Sequence, residues 1–197
     1  RPYALDATDR EAVLAPVAII ERDVVPVDLA VMAAGTYSPL DVEKFGAPLF
    51  EAAMTTNYLG VVNCLSGLLP RMFRRRRGHV AWIASVAGFV GLPKAAAYAP
   101  TKAALISLAE VLRLELEGDN VTVSVVNPGF VETPLTSKND FSMPLSWPVE
   151  KAARHIFEQL KDRPLEINFP AAFMAALWPL SRLPDQGPVR RGATTPL

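Results

Sequence analysis

Short apolar, β-branched runs alternate along this chain with longer stretches whose apolar residues recur at helical spacing. Pro2 to Leu5 reads as a short extended run, and Asp9 as the cap of a helix reaching about Arg22. Val27 to Met32 is an apolar run that stops near Gly35, as expected of a strand buried on both faces. Lys44 to Phe73 is mostly helical. Its apolar residues, among them Leu59, Val62, Leu65, Leu68 and Met72, fill more than one stripe, which predicts burial on two sides. His79 to Ile83 is the next strand and Tyr98 to Glu117 the next helix. Val121 to Val126 is a β-branched run ending at Asn127-Pro128-Gly129. A helix over Glu150 to Arg163, after Pro148, and a last strand over Leu165 to Phe169 complete the pattern. The alternation predicts a single α/β domain with a doubly wound parallel sheet and helices on both faces. Ligands of such sheets sit beyond the carboxyl ends of the strands.

Composition narrows the class. The 197 residues suit one domain, and 20 basic residues balance 20 acidic ones. That balance gives no whole-chain attraction to nucleic acid or anionic lipid. The run Arg74-Arg75-Arg76-Arg77 reads as a solvated helix C-terminus, where cations suit the dipole. The single cysteine, Cys64, forbids an internal disulfide, and no signal segment opens the chain, so a cytoplasmic location is expected. The longest apolar stretch, Ala171 to Leu180, contains Pro179 and falls short of the about 20 residues a membrane span needs.

The candidate chemistry lies at the predicted strand ends. In Tyr98-Ala99-Pro100-Thr101-Lys102, a phenol and an ammonium stand four residues apart, on one helix face. Pro100 is tolerable there because it falls in the first turn. A neighbouring ammonium is expected to lower the phenol pKa from its usual value of about 10, which would let Tyr98 pass protons near neutral pH. Ser85 follows a strand, where its hydroxyl can face a substrate oxygen. A Tyr-Lys pair at this spacing arises readily by composition in a chain with four tyrosines. The joint arrangement carries more weight: Ser85, twelve residues, Tyr98, three residues, Lys102.

With these residues the chain resembles the short-chain dehydrogenase/reductase family over nearly its whole length. The resemblance implies a Rossmann-like fold and a catalytic set of Asn57, Ser85, Tyr98 and Lys102. Asn57 stands in Thr55-Thr56-Asn57-Tyr58-Leu59-Gly60, followed by Leu69-Pro70-Arg71-Met72. It also implies a nicotinamide cofactor, NAD or NADP with NADP slightly favoured. Cofactor contacts would come from Asp6 and Ala7 at the adenine, Ala34 and Gly35, Tyr98 and Lys102, and the segment Pro128, Gly129, Val131 and Thr133. In the implied mechanism Tyr98 is the acid/base, Ser85 holds the substrate oxygen, Lys102 tunes Tyr98 and holds the ribose, and Asn57 positions a relay water. Two departures stand out. Met32-Ala33 replace the family's Asn-Asn, which predicts lost stability more than lost chemistry. The Gly-rich turn that seats a pyrophosphate is absent, and the chain begins at what should be the third strand. An incomplete chain is the expected explanation, and a natural short form the alternative. These 197 residues alone are expected to be inactive.

Other chemistries fit less well. A serine hydrolase lacks its Gly-x-Ser-x-Gly elbow, and His79 and His155 are placed as surface or packing residues. No metal site is expected from two distant histidines and one cysteine. The rival class is a non-catalytic scaffold or dinucleotide sensor. A substrate lid is expected over about 130–148, with Phe141, Met143, Leu145 and Trp147 either facing an apolar substrate or packing the lid down. A tail from about 170 to 197 carries Phe173, Leu177 and Leu180 at helical spacing, expected in core packing or subunit contact. The substrate is expected to be a small carbonyl or alcohol compound, and an apolar one, fatty-acyl, steroid-like or aromatic, if the lid side chains face it. The two-sided helices match the elements that pair subunits in the family, implying a homodimer or homotetramer.

Overall fold

The computed structural model describes residues 2–138 and 142–175. Helix α1 (Arg10–Asp23) precedes strand β1 (Leu29–Met32). Helices α2 (Ala47–Met54) and α3 (Gly60–Arg75) then lead to β2 (Gly78–Ile83). Helix α4 (Ala99–Glu115), β3 (Val121–Pro128), α5 (Val149–Leu160) and β4 (Glu166–Phe169) follow. The four strands are all parallel and lie in chain order, with Met32 beside Trp82, Val80 beside Val123 and Val126 beside Ile167.

Alternation along the strands separates two cores. Val80, Trp82, Val123 and Val125 face Leu65, Leu68 and Met72 of α3 and Leu105, Ile106 and Ala109 of α4. Ala81, Val126 and Ile167 face the other way, against Ala152 and Leu160 of α5. The Trp82 indole N–H donates to the Leu105 carbonyl at 3.0 Å, so its one polar atom is satisfied inside the first core. Because α5 lies on the face opposite α3 and α4 while the strand order keeps its direction, the β3–α5–β4 crossover has the opposite hand to the two before it. Its connection leaves the carboxyl end of β3 at Gly129.

Three expectations need correction. Residues 2–5 form no strand, since no described strand pairs with them. Strand β1 is not buried on both faces: it lies at the sheet edge, and Leu29 and Val31 are 41% and 45% exposed, because none of the described helices covers their side. The helix expected over 44–73 is divided. A 3-10 turn (Val42–Lys44) and α2 come first, then a wide turn at Thr55–Leu59 feeds straight into α3.

The arginine run closes α3. Arg76 takes the left-handed conformation at the C-cap. Arg75 reaches back to Glu21 at 2.7 Å and also donates to the Val27 and Arg77 carbonyls. Arg76 and Arg77 pair with Asp119 and Asp28. His79, at the start of β2, is buried and shares a 2.8 Å hydrogen bond with Ser124, which itself donates to the Pro164 carbonyl. No helix among the described residues is long and apolar enough to cross a membrane. Phe141, Pro179, Leu177 and Leu180 lie outside the described residues.

Candidate active site

At the carboxyl edge, β2 ends at Ile83 and the chain turns through Ser85 into a 3-10 turn, Val86–Gly88. The Ser85 hydroxyl accepts from the Ala87 N–H at 3.1 Å, which fixes its rotamer. Gly88 lets this turn sit on α4: a Cβ there would lie 2.7 Å from Ile106 Cδ1 and 2.9 Å from the Ala103 nitrogen. Helix α4 begins directly after Tyr98, with Pro100 in its first turn as expected. The Ser85 hydroxyl therefore shares a cleft wall with the Tyr98 side chain. Lys102, one turn on, is buried, and its Nζ lies 5.3 Å from the centre of the Tyr98 ring.

Asn57 is fully buried in the wide turn, where the Gly60 N–H reaches back five residues to the Thr55 carbonyl. Its Oδ1 accepts from the Thr36 N–H at 2.7 Å. Its Nδ2 donates to the Thr36 carbonyl at 3.0 Å and to Thr101 Oγ1 at 3.1 Å. Asn57 thus ties the loop after β1 to the first turn of α4, and both Nδ2 hydrogens are spent on that tie. Gly35 comes close beside it: a Cβ there would lie 3.4 Å from Asn57 Oδ1 and 3.8 Å from Lys102 Nζ.

The electrostatics correct one expectation. The Tyr98 phenol is not lowered by Lys102; its pKa is pushed up to about 12. Burial is the main cause, the Ser85 hydrogen bond pulls it partly back, and the Tyr37 phenol raises it further. Burial also brings Lys102 down to about 8. Its Nζ donates to the Ile83 carbonyl at 2.8 Å, and no described carboxylate pairs with it. A phenolate and an ammonium would stabilise each other there, but desolvation of each alone is the larger effect.

Tyr37, Ser85, Val86, Tyr98, Gly129 and Phe130 share the wall of one cleft with Leu92, Leu135 and Thr136. Gly129 is fixed by its N–H, which donates to the Phe169 carbonyl at 2.7 Å. Val131 and Thr133 lie just after Gly129 and are not among the residues lining the cleft. Val131 bridges to Trp147, and Thr133 hydrogen-bonds Thr136, whose hydroxyl also reaches the Val131 carbonyl. Trp147 faces inward, stacked 5.0 Å from Phe169 and edge-on to His155, so it packs against the core between the sheet and α5. Phe173 packs on Phe130 and Val86, a core role for the start of the tail. Asp6 and Ala7 are docked elsewhere. Asn63 donates to the Ala7 carbonyl at 2.9 Å, and Gly60 gives room for Ala7. The Thr8 N–H and hydroxyl hold the exposed Asp6 carboxyl below its usual range. Ala34 is exposed beside Gly35.

Tyr37 and Thr101 were missed in the sequence. Thr101 was legible in principle, being inside the Tyr98–Lys102 turn. Tyr37 had only its nearness to Gly35 to announce it. Among the described residues no cluster of three or more His, Cys, Asp or Glu forms a metal site.

Residues 1–142 match the short chain dehydrogenase family. An uncharacterized oxidoreductase of Myxococcus xanthus is 33% identical over 169 residues, covering 86% of this chain and 67% of the relative. The 3-oxoacyl-[acyl-carrier-protein] reductase FabG of Thermotoga maritima is 32% identical over 137 residues, 70% of this chain and 56% of that protein. Among solved structures, LigD in its apo form from Sphingobium sp. strain SYK-6 superposes with a TM-score of 0.75 at 28% identity, covering 90% of this chain and 71% of that one. The parallel sheet, its flanking helices and the cleft at its carboxyl edge define a Rossmann-like domain. The chain belongs to the short-chain dehydrogenase family.

Proposed function

We propose that this protein interconverts a carbonyl and an alcohol with NAD or NADP, using Tyr98 as the acid/base. The observation that supports the reading is that Ser85 and Tyr98 share one cleft wall, with the buried Lys102 ammonium 5.3 Å from the Tyr98 ring and paired with no described carboxylate. The residues present fit a nicotinamide ribose. Gly35 leaves open, beside Asn57 and Lys102, the space that a Cβ would fill, and the Lys102 cation sits behind it with donors to spare. When bound, the nicotinamide supplies or takes the hydride. The chain does the rest. Tyr98, protonated at neutral pH, donates from its hydroxyl to the substrate oxygen. Ser85, held by the Ala87 N–H, offers a second hydrogen bond to that oxygen and stabilises its developing charge. Lys102 holds ribose hydroxyls and favours the phenolate once Tyr98 has given its proton. Asn57 fixes the spacing between Gly35 and the start of α4, and its Oδ1 keeps one lone pair for a relay water.

The apolar lining points to an apolar substrate. Exposed Phe45, Leu59 and Phe73 around α2 and α3, with Val111 and Leu114 on α4, support a homodimer or homotetramer built on these helices. The single cysteine, Cys64, is in keeping with a cytoplasmic location. Replacing Tyr98 with Phe in the complete protein removes the proton donor and little else. Carbonyl reduction should fall about 10²- to 10⁴-fold with the melting temperature unchanged. Unchanged turnover would refute the enzyme reading and favour a dinucleotide-sensing scaffold.

A further inference from the structure

We propose that Tyr37 is a specificity-determining residue of this cleft, and that it selects carbonyl substrates bearing an aryl group. The inference rests on Tyr98 marking where the substrate oxygen sits. The Tyr37 ring stands edge-on to the Tyr98 ring, with centroids 5.2 Å apart and planes at 74°. A substituent on the carbonyl carbon, leaving the Ser85 and Tyr98 hydroxyls, therefore meets the Tyr37 ring as a neighbouring wall. Phe130, Leu92 and Leu135 supply further apolar wall in the same cleft. A flat, rigid ring fits between such surfaces in edge or offset contact, at less cost in conformational freedom than a flexible chain.

Tyr37 is also held more firmly than loop residues commonly are. Its predecessor Thr36 is gripped at both its N–H and its carbonyl by buried Asn57. Three residues on, Leu40 is buried and donates its N–H to the Lys94 carbonyl at 2.9 Å. Lys94 in turn pairs with Asp41 at 3.6 Å. The loop carrying Tyr37 is thus clasped at one end to the catalytic set and at the other to the opposite wall around Leu92 and Ala95. A ring preorganised in this way can discriminate between substrates, because it does not move aside for the wrong shape.

The test uses the complete protein, both nicotinamide cofactors, and two methyl ketones of matched size: acetophenone and cyclohexyl methyl ketone. The quantity read is the ratio of kcat/KM for the aryl over the cyclohexyl compound, compared between parent and variants so that intrinsic reactivity cancels. Tyr37→Ala should lower that ratio about tenfold, mainly through KM for acetophenone, while Tyr37→Phe keeps it. Ligand-observed NMR on the Tyr98→Phe protein reads the same preference as binding. Ratios within twofold across all three proteins overturn the proposal. So does a parent that neither reduces nor binds acetophenone in preference to its cyclohexyl partner. Tyr98→Phe turnover, measured alongside, separates the two failures: if it survives, the proton-donor reading fails; if it is lost while the ratio stays flat, only the assignment of Tyr37 fails.

Discussion

At the amino ends of the strands, Arg75 meets Glu21 and two backbone carbonyls, and His79 meets Ser124. At the carboxyl ends, Lys102 is buried with a single carbonyl, the Tyr98 phenol is pushed up to about 12, and Asn127 Oδ1 and Ser146 Oγ are buried without a partner. Both ends belong to one sheet and one core, yet one satisfies its buried polar groups and the other leaves them under strain. Groups whose charged forms are disfavoured in isolation are those that gain most when a ligand supplies the missing partner. The amino end stabilises the fold, and the carboxyl end holds reactivity in reserve.

Lys102→Met should break the comparison most visibly. Turnover should fall at least about 10²-fold. Stability at pH 7 should match or exceed that of the parent, because the substitution removes a buried cation that pairs with no described carboxylate. The pH dependence fixes the sign. The folded pKa of about 8 lies below the unfolded value of 10.5, so between them the unfolded chain holds more protons and stability rises with pH. Urea melts across that window should show the rise in the parent and none in Lys102→Met. A Met variant markedly less stable at pH 7 would mean that Lys102 is structural.

His79 is the corresponding test at the amino end. Burial, with Arg163 and Arg113 nearby, lowers its pKa from 6.5 to about 4. Between those values the unfolded chain again holds more protons, so stability is lost as pH falls through that window, by up to about 3 kcal/mol. His79→Gln keeps a group that can hydrogen-bond Ser124 but cannot titrate. Its melts should lose most of this acid sensitivity while turnover near neutral pH stays unchanged.

Much of this division was legible in the sequence. Strand-helix alternation pointed to the parallel sheet, and the nearness of Tyr98 and Lys102 was readable from their spacing, because a helix brings positions four apart onto one face. The depth of burial was not legible. The phenol-ammonium pair looked like a simple case of attraction, whereas desolvation of each group outweighs it. Strand β1 looked doubly buried because Leu29 and Val31 are apolar, and apolar residues do not by themselves say what covers them. Tyr37 was invisible because its position depends on Asn57, 20 residues on, gripping the residue before it. Contacts made by side chains to distant backbone leave no periodic trace.

The smallest prediction separates pairing from burial within one turn of chain. Arg75 and Arg77 each pair with an acid at the amino end, at 2.7 Å and 2.9 Å. The side chains of the first pair are 22% and 11% exposed, those of the second 67% and 55%. Arg75→Met would strand a largely buried Glu21 and free the Val27 carbonyl, and should cost about 2–3 kcal/mol. Arg77→Met removes an ion pair of similar length that water already screens, and should cost under about 0.5 kcal/mol. Neither change should alter turnover, since both residues lie at the far end of the sheet from Tyr98. Equal losses from the two would mean that the amino end is held by charge pairing as such, and that its contrast with the uncompensated carboxyl end is one of ion pairs rather than of satisfied burial.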